Sequence, residues 1–320
     1  LMTFNVENLY DAKDDPDRED RDYLPLAMKQ SEEHKAACAE LRFESWQNRC
    51  LNFDWNEEVV EQKLRVIAAT IKQVNDGRGP DVLALQEIEN IGILERLRTD
   101  FLADSNYEPA VLIEGNDSRG IDVAFLSRLP LAGKPQLHDL EFDAAFADAV
   151  GDTRGILQVD FEMPDGSILT GFNVHFPAPY HPTEMRISAY DTLNGLATAL
   201  PADHHVFAAG DFNTTSSEDG EKNMLDRFAR PYWTVSNDLC DGCPGTSYFR
   251  PDESWSFLDM ILWQPCCGAD TTWRIRAESV RIANRTAAQV SRDGTPQRFR
   301  FPEGSGVSDH WPVVMVVESK

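Results

Sequence analysis

The chain has 320 residues, 42% hydrophobic and 10% aromatic, enough for one large α/β domain or two modest ones with a sizeable core. A formal net charge of -24 and a pI near 4.6 exclude a tight, metal-free binder of polyanions, which needs a basic footprint. They leave open an enzyme that meets phosphates through a bound cation, and no apolar run approaches the roughly 20 residues that span a bilayer.

Residues 2–10, MTFNVENLY, read as a strand and its exit. The charge run at 11–22, DAKDDPDREDRD, has the carboxylates of a calcium loop but lacks the glycine of an EF-hand, so it reads as a solvated loop. Residues 26–75 read as helical, with Leu64, Ile67, Ala68 and Ile71 on one stripe before GRGP breaks the pattern. DVLALQE at 81–87 is a short apolar run that fits a buried strand, and a helix is expected at 90–103. IDVAFLS (121–127), GILQVDFEM (155–163) and ILTGFNVHF (168–176) read as strands. A helix of roughly 20 residues is expected from Thr183. HVFAAGDFN (205–213), SFLDMILW (256–263) and WPVVMVV (311–317) complete the strands. The elements mix without a strict βαβ rhythm, which predicts two packed sheets with helices outside, an α/β sandwich. No internal repeat or linker interrupts them. The simplest organisation is one domain over 1–320, with insertions at about 11–60 and 264–305.

Six cysteines occur as Cys38 and Cys50, the CDGC pair Cys240 and Cys243, and the adjacent Cys266 and Cys267. A zinc site would need adjacent ligands beside the C-x2-C spacing, whereas an even count fits disulfides in an oxidising compartment. The pairing is not readable from sequence. Disulfides predict a periplasmic or extracellular protein; free buried thiols are the cytosolic alternative.

Polar residues interrupt or end the apolar strands in a recurrent way. Asn5 and Glu7 lie in TFNVEN, Glu87 ends VLALQE, and Asn173 and His175 lie in GFNVHF. Asp211 and Asn213 lie in AAGDFN, Asp259 lies in WSFLDMIL, and Asp309 and His310 precede WPVVMVV. Asp and Asn at a strand end are ordinarily turn-formers. A buried carboxylate without a partner is costly, however, and the repetition over six strands predicts one shared site at an end of the sandwich. Carboxylates and amides without cysteine suit a hard ion: Mg2+, or else Mn2+ or Ca2+. Two histidines add general acid–base groups. With no P-loop, GxSxG or HExxH motif, this set predicts metal-assisted attack of water on a phosphoester.

TFNVENL (3–9), LQEIEN (85–90), NVHF (173–176), GDFN (210–213), SFLDMIL (256–262) and SDHWPV (308–313) occur in the order of the endonuclease/exonuclease/phosphatase superfamily. The chain therefore resembles these deoxyribonuclease I-like hydrolases along nearly its whole length. The resemblance implies a four-layer α/β sandwich of two mostly antiparallel sheets flanked by helices. It implies that Glu87 holds the catalytic divalent ion, with Glu7 and Asp309 near the metal and Asn5 orienting metal or phosphate. Asp211 would handle the nucleophilic water and Asn213 the phosphate. His310 would contact the phosphate, supported by Asp259. His175 stands where deoxyribonuclease-like members carry a general acid, and the acid and base roles of the two histidines stay open. Arg119, in SRGIDVAFL with Asp122, is expected to approach the phosphate, the alternative being an ordinary surface arginine.

The substrate reading stays open between three classes. His175, the cysteines and the basic stretch 274–300 (Arg274, Arg276, Arg281, Arg285, Arg292, Arg298 and Arg300 against Glu278 and Asp293) favour a secreted nuclease or phosphodiesterase. That stretch reads equally as a solvated surface balancing nearby acids. The net charge favours a small phosphoester, a lipid head group or an inositol phosphate. A non-catalytic binding module is the third class, disfavoured because Glu87, Asp211 and His310 are all present. No protein partner is evident.

Overall fold

The computed structural model describes residues 1–264, 273–301 and 303–319. Its strands in chain order are β1 (Met2–Leu9), β2 (Val82–Ile88), β3 (Val111–Leu112), β4 (Asp122–Ser127), β5 (Gln136–His138), β6 (Ile156–Glu162) and β7 (Ile168–His175). They continue with β8 (His205–Asp211), β9 (Thr234–Val235), β10 (Ser247–Phe249), β11 (Ser254–Ser256), β12 (Asp259–Gln264), β13 (Trp273–Ile282) and β14 (Val313–Ser319). Two six-stranded sheets result, ordered β13-β14-β1-β2-β4-β3 and β5-β6-β7-β8-β12-β9, with β10 and β11 as a separate hairpin. Antiparallel pairs dominate, as expected, but β1 pairs parallel with β2 and β7 parallel with β8, so both sheets are mixed.

Three apolar clusters separate four layers. Between the sheets lie Phe125, Phe161, Phe207, Ile261 and Met315. Outside the first sheet packs a helix at Glu57–Ile71, burying Val60, Leu64, Ile67 and Ile71 against Phe4 and Leu85. This is the predicted stripe. Asn56 starts that helix by accepting the Glu58 and Val59 amides at 3.0 and 3.2 Å, a cap worth about 1 kcal/mol. Outside the second sheet packs a helix at Thr183–Thr198, which buries Met185, Ala189, Tyr190 and Leu193 against Phe172 and Phe212. Its 16 residues fall short of the expected length.

The expected helical stretch 26–75 is three helices, Glu32–Ala39, Glu44–Asn52 and Glu57–Ile71, and a Cys38–Cys50 disulfide ties the first two. The CDGC cysteines, Cys240 and Cys243, are also disulfide-bonded, which removes them from the zinc reading. Cys266 and Cys267 lie outside the described residues. The stretch 264–305, expected as an insertion, supplies β13, which extends the first sheet by pairing with β14. No helix among the described residues is long and apolar enough to cross a membrane.

A buried polar relay joins the sheets. Thr3 donates to Gln86 at 3.3 Å, and the Gln86 amide donates to Asn173 Oδ1 at 2.7 Å. Asn173 Nδ2 in turn donates to the carbonyls of Leu85 and Ala124 at 3.0 and 2.7 Å. Asn173 is thus a bolt between layers. Every group in the relay is satisfied, as burial requires. It lies two residues before His175 and fixes the spacing of the sheets beside the candidate site.

Candidate active site

The second sheet contributes a row of polar residues. His175, Asp211 and Asp259 are direct register partners across β7, β8 and β12, so one transverse line carries all three. Gly210, at φ +152°, makes that line possible: a Cβ there would lie 2.0 Å from the Val174 carbonyl oxygen of the neighbouring strand. Asp211 is then held on both oxygens. Oδ1 accepts the Asn213 amide at 2.9 Å, and Oδ2 accepts Asn5 Nδ2 at 3.0 Å. Asn213, in the left-handed region at φ 50°, points its own amide to the Phe176 carbonyl at 3.0 Å.

The first sheet reaches the same place by distortion. Register shifts interrupt the β1–β2 pairing between Asn5 and Leu9 and the β2–β4 pairing between Gln86 and Ile88. Within these bulges Glu7, Asn8 and Glu87 adopt φ of 55°, 59° and 65°. Left-handed backbone at residues with a Cβ is uncommon, and it concentrates where side chains must be re-aimed. Asn5 Nδ2 donates to Glu87 Oε1 at 3.1 Å, and the Asn8 amide donates to Glu87 Oε2 at 2.8 Å. Asn5 therefore links Glu87 of one sheet to Asp211 of the other.

The segment before β14 completes the site. Ser308 donates to the Asn5 carbonyl at 2.8 Å and accepts the His310 amide at 3.0 Å. His310 Nδ1 sits 2.7 Å from Asp259 Oδ2. Its Nε2 lies 3.8 Å from Asp211 Oδ2, and His175 Nε2 lies 3.7 Å from that same oxygen. Two imidazoles thus face one carboxylate from opposite partners, and all three side chains are nearly inaccessible to solvent.

The environments push these groups apart. Burial holds His175 well below the usual histidine pKa, reinforced by the positive charges of Arg154 and Arg119. Burial also opposes charge on His310, but the carboxylates of Asp259, Asp309 and Asp211 outweigh it and hold that pKa well above the usual value. The two imidazoles are thus driven in opposite directions, His175 toward the neutral form and His310 toward the charged one. Burial raises Asp211 to about 7, with Asp259 adding to the rise and His310 opposing it.

Asp309 borders the row, with Oδ1 3.9 Å from His310 Nε2, and Glu7 stands beside it. Arg298 spans them, with Nη1 3.2 Å from Glu7 Oε1 and Nη2 2.5 Å from Asp309 Oδ2. Lys63, buried beneath, donates to the carbonyls of Glu7 and Val307 at 2.9 and 2.7 Å. Glu7 Oε2 is buried without a hydrogen-bond partner, and burial together with Asp309 raises Glu7 to about 8. An all-oxygen donor set with an unpartnered buried carboxylate oxygen fits a hard divalent cation. The group at the site whose ligand atoms all lie within 4.8 Å of one another is instead Asp211, Asp259 and His310. In that group, however, His310 Nδ1 is engaged by Asp259.

The charge of Arg119 is felt at both Glu87 and His175. Its guanidinium is 3.7 Å from Asp117 and 3.8 Å from Asp152. Asp122 accepts the Gly115 amide at 2.9 Å and pins a loop. Sequence reasoning missed Arg154, which is 3% exposed, 3.1 Å from Asp117, and has no aligned hydrogen-bond partner for Nε or Nη2. An arginine opening an apolar strand, TRGILQV, was the available clue. Of the basic stretch, Arg274 and Arg276 pair with Glu318 along the first sheet, while Arg298 touches the acidic cluster.

The sequence profile of the endonuclease/exonuclease/phosphatase family matches residues 52–310. The chain belongs to that family. Family members are phosphoesterases, and the sandwich described above is their fold. No curated protein matches the sequence. Among solved structures, an endonuclease/exonuclease/phosphatase from Bacteroides vulgatus is similar at 16% identity and TM-score 0.58, covering 100% of this chain and 98% of that one. D. rerio TDP2, solved with a single-strand DNA product, matches at 14% identity and TM-score 0.58, covering 81% of this chain and 92% of that one. Staphylococcus aureus beta toxin matches at 17% identity and TM-score 0.55, covering 80% and 93%.

Proposed function

We propose that this chain is a divalent-metal-dependent phosphodiesterase, with a nuclease as the leading form, acting by attack of water on phosphorus. The observation that carries the reading is the convergence of His175 and His310 on one oxygen of Asp211, at 3.7 and 3.8 Å. Asp211, with a pKa raised to about 7, is poised as a general base near neutral pH. It takes a proton from a water held beside it. His310, charged and oriented by Asp259, binds a phosphoryl oxygen through Nε2–H and stabilises the charge that grows there. His175, neutral and buried, is positioned to orient the phosphate or relay a proton to the departing oxygen. Asn5 and Asn213 line the same space, where either would have to exchange its present partner for a phosphoryl oxygen, and Arg119 supplies positive charge nearby. Glu87, Glu7 and Asp309 would hold the cation, with Mg2+ the first choice. When bound, it neutralises charge on the phosphoryl oxygens and on the leaving group.

The likeness of the fold to D. rerio TDP2, whose structure carries a single-strand DNA product, supports a nucleic-acid substrate. The net charge of -24 supports a second reading, a small phosphoester or lipid head group in place of a polyanion. Two disulfides support an oxidising compartment, periplasmic or extracellular. The deciding experiment compares single- and double-stranded DNA, an activated phosphodiester and an activated phosphomonoester in Mg2+ or Mn2+, with EDTA as blank. EDTA-sensitive cleavage of DNA is the expected result. Turnover of the small esters alone moves the assignment to the second reading, and a monoester preference overturns the phosphodiesterase assignment.

A further inference from the structure

Arg298 stands out because it bonds both outer carboxylates of the acidic cluster at once. Its two terminal nitrogens reach Glu7 at 3.2 Å and Asp309 at 2.5 Å. Guanidinium is a permanent charge with a planar fork matched to two carboxylates, so no pH in the working range removes it. The side chain itself is 64% exposed, but the backbone that carries it is fixed. Gln297 donates to the Gln289 carbonyl at 3.0 Å, and the Val307 amide donates to the Gln297 carbonyl at 2.8 Å. Gly306, at φ +84°, allows this crossing, since a Cβ there would lie 1.8 Å from the Arg298 carbonyl oxygen. The next residue, Phe299, packs edge-on against Trp55 at 6.1 Å and covers Lys63 at 5.0 Å. Arg298 is therefore delivered to the cluster by an anchored loop.

Charge counting gives the consequence. Glu7, Glu87 and Asp309 carry three negative charges when ionised. One divalent ion, the Arg298 guanidinium and the Lys63 ammonium beneath Glu7 already outweigh them. Two divalent ions beside the guanidinium would overshoot further, and the second ion would have to displace Arg298 from the carboxylate oxygens it occupies. We propose that Arg298 is a built-in cation of this site, filling the place between Glu7 and Asp309 that a second divalent ion would need, so that the chain takes up one ion. This rests on the reading of Glu7, Glu87 and Asp309 as the cation-holding cluster.

The test is the stoichiometry of Mn2+ binding by equilibrium dialysis and by electron paramagnetic resonance, with no substrate present. Wild type is expected to bind one Mn2+ per chain. Arg298→Gln is expected to bind two, and Arg298→Lys, which keeps the charge, one. Arg298→Met keeps the length of the stem and repeats the neutral test if glutamine disturbs the loop. Melting curves establish that each variant is folded. Two ions on wild type, or a single ion on both neutral variants, overturns the proposal while leaving the metal reading intact. Glu87→Gln separates the two failures. If it binds Mn2+ as wild type does, or if no variant binds any, the underlying assignment of the cluster falls and this proposal falls with it.

Discussion

The two sheets build their halves of the site by different means. The second sheet uses regular pairing: His175, Asp211 and Asp259 share one line across three straight strands, and a glycine removes the one obstacle. The first sheet uses irregularity: Glu7 and Glu87 sit in bulges with left-handed backbone. The contrast follows the chemistry. Under the proposed mechanism the second sheet's row would handle protons and need fixed mutual geometry, which a register supplies. To hold one cation, as proposed, the acids would have to turn out of their strands, which a register forbids. Asn5, which bonds to both Glu87 and Asp211, and His310, which leaves the first sheet to pair with Asp259, hold the halves together.

The largest effects are expected where the row itself is cut. His310→Ala should lower kcat by roughly 10²–10⁴-fold while the circular dichroism spectrum stays native. Retention of more than a tenth of wild-type kcat would sever the row from the chemistry. Glu87→Gln should weaken Mg2+ binding by at least about 10-fold, measured by calorimetry, because a ligand matters no less than a supporting residue. Unchanged affinity would show that the bulged half is structural. Asp259→Asn should cost less, roughly 10–100-fold in rate. It should also bring the His310 imidazole titration downward in NMR, since its strongest anionic partner is gone. An unmoved titration would contradict the pairing.

The pH dependence of stability sharpens the contrast further. Glu7 and Glu89 are raised to about 8, and Asp122 and Asp211 to about 7, each chiefly by burial. The native state therefore holds these protons more tightly than the unfolded chain does. Their contribution is fully present below the ordinary carboxylate range and is lost as pH rises through 7 to 8. His175, His205 and the Leu1 amine, all held low by burial, work in the opposite sense over this range, while Lys29 and Lys63, lowered to about 8, oppose mainly above it. In EDTA, Tm should fall by about 5 °C or more between pH 5 and pH 8. Mg2+ should flatten that fall, because a cation replaces the protons on the cluster. A flat EDTA curve would mean the acids are already compensated. The smallest effect belongs to the bolt between the layers. Gln86→Leu leaves an Asn173 carbonyl oxygen unpaired and should cost about 1–3 kcal/mol in denaturant unfolding, with the metal affinity unchanged.

Much of the second half was legible in the chain. Apolar strands ending in NVHF and GDFN, and one opening at FLDM, advertise buried polar groups, and their alternation sets which side chains share a face. The bulges were not legible, because a period-two pattern does not reveal where one residue will take a left-handed turn. β3, β5 and β9 were missed because two or three residues carry no periodicity. β13 was hidden by the charges of its exposed edge, WRIRAESVRI, which read as a surface insertion. Arg298 appeared within a basic run, and nothing local distinguished it from Arg274 or Arg276. Only the crossing at Gly306 sets it against Glu7 and Asp309. Arg154 was hidden for the opposite reason, as a lone arginine whose burial depends on Asp117, 37 residues earlier by numbering.

The most direct test of the whole account is the rate of Asp211→Asn against wild type on an activated phosphodiester and on DNA, both proteins folded and loaded with Mn2+. The account predicts a fall of roughly 10²–10⁴-fold while the circular dichroism spectrum stays native, although asparagine keeps only one of the two acceptors that Asn5 and Asn213 use. Turnover within a few-fold of wild type would contradict it and move the chemistry away from the residue on which both histidines converge.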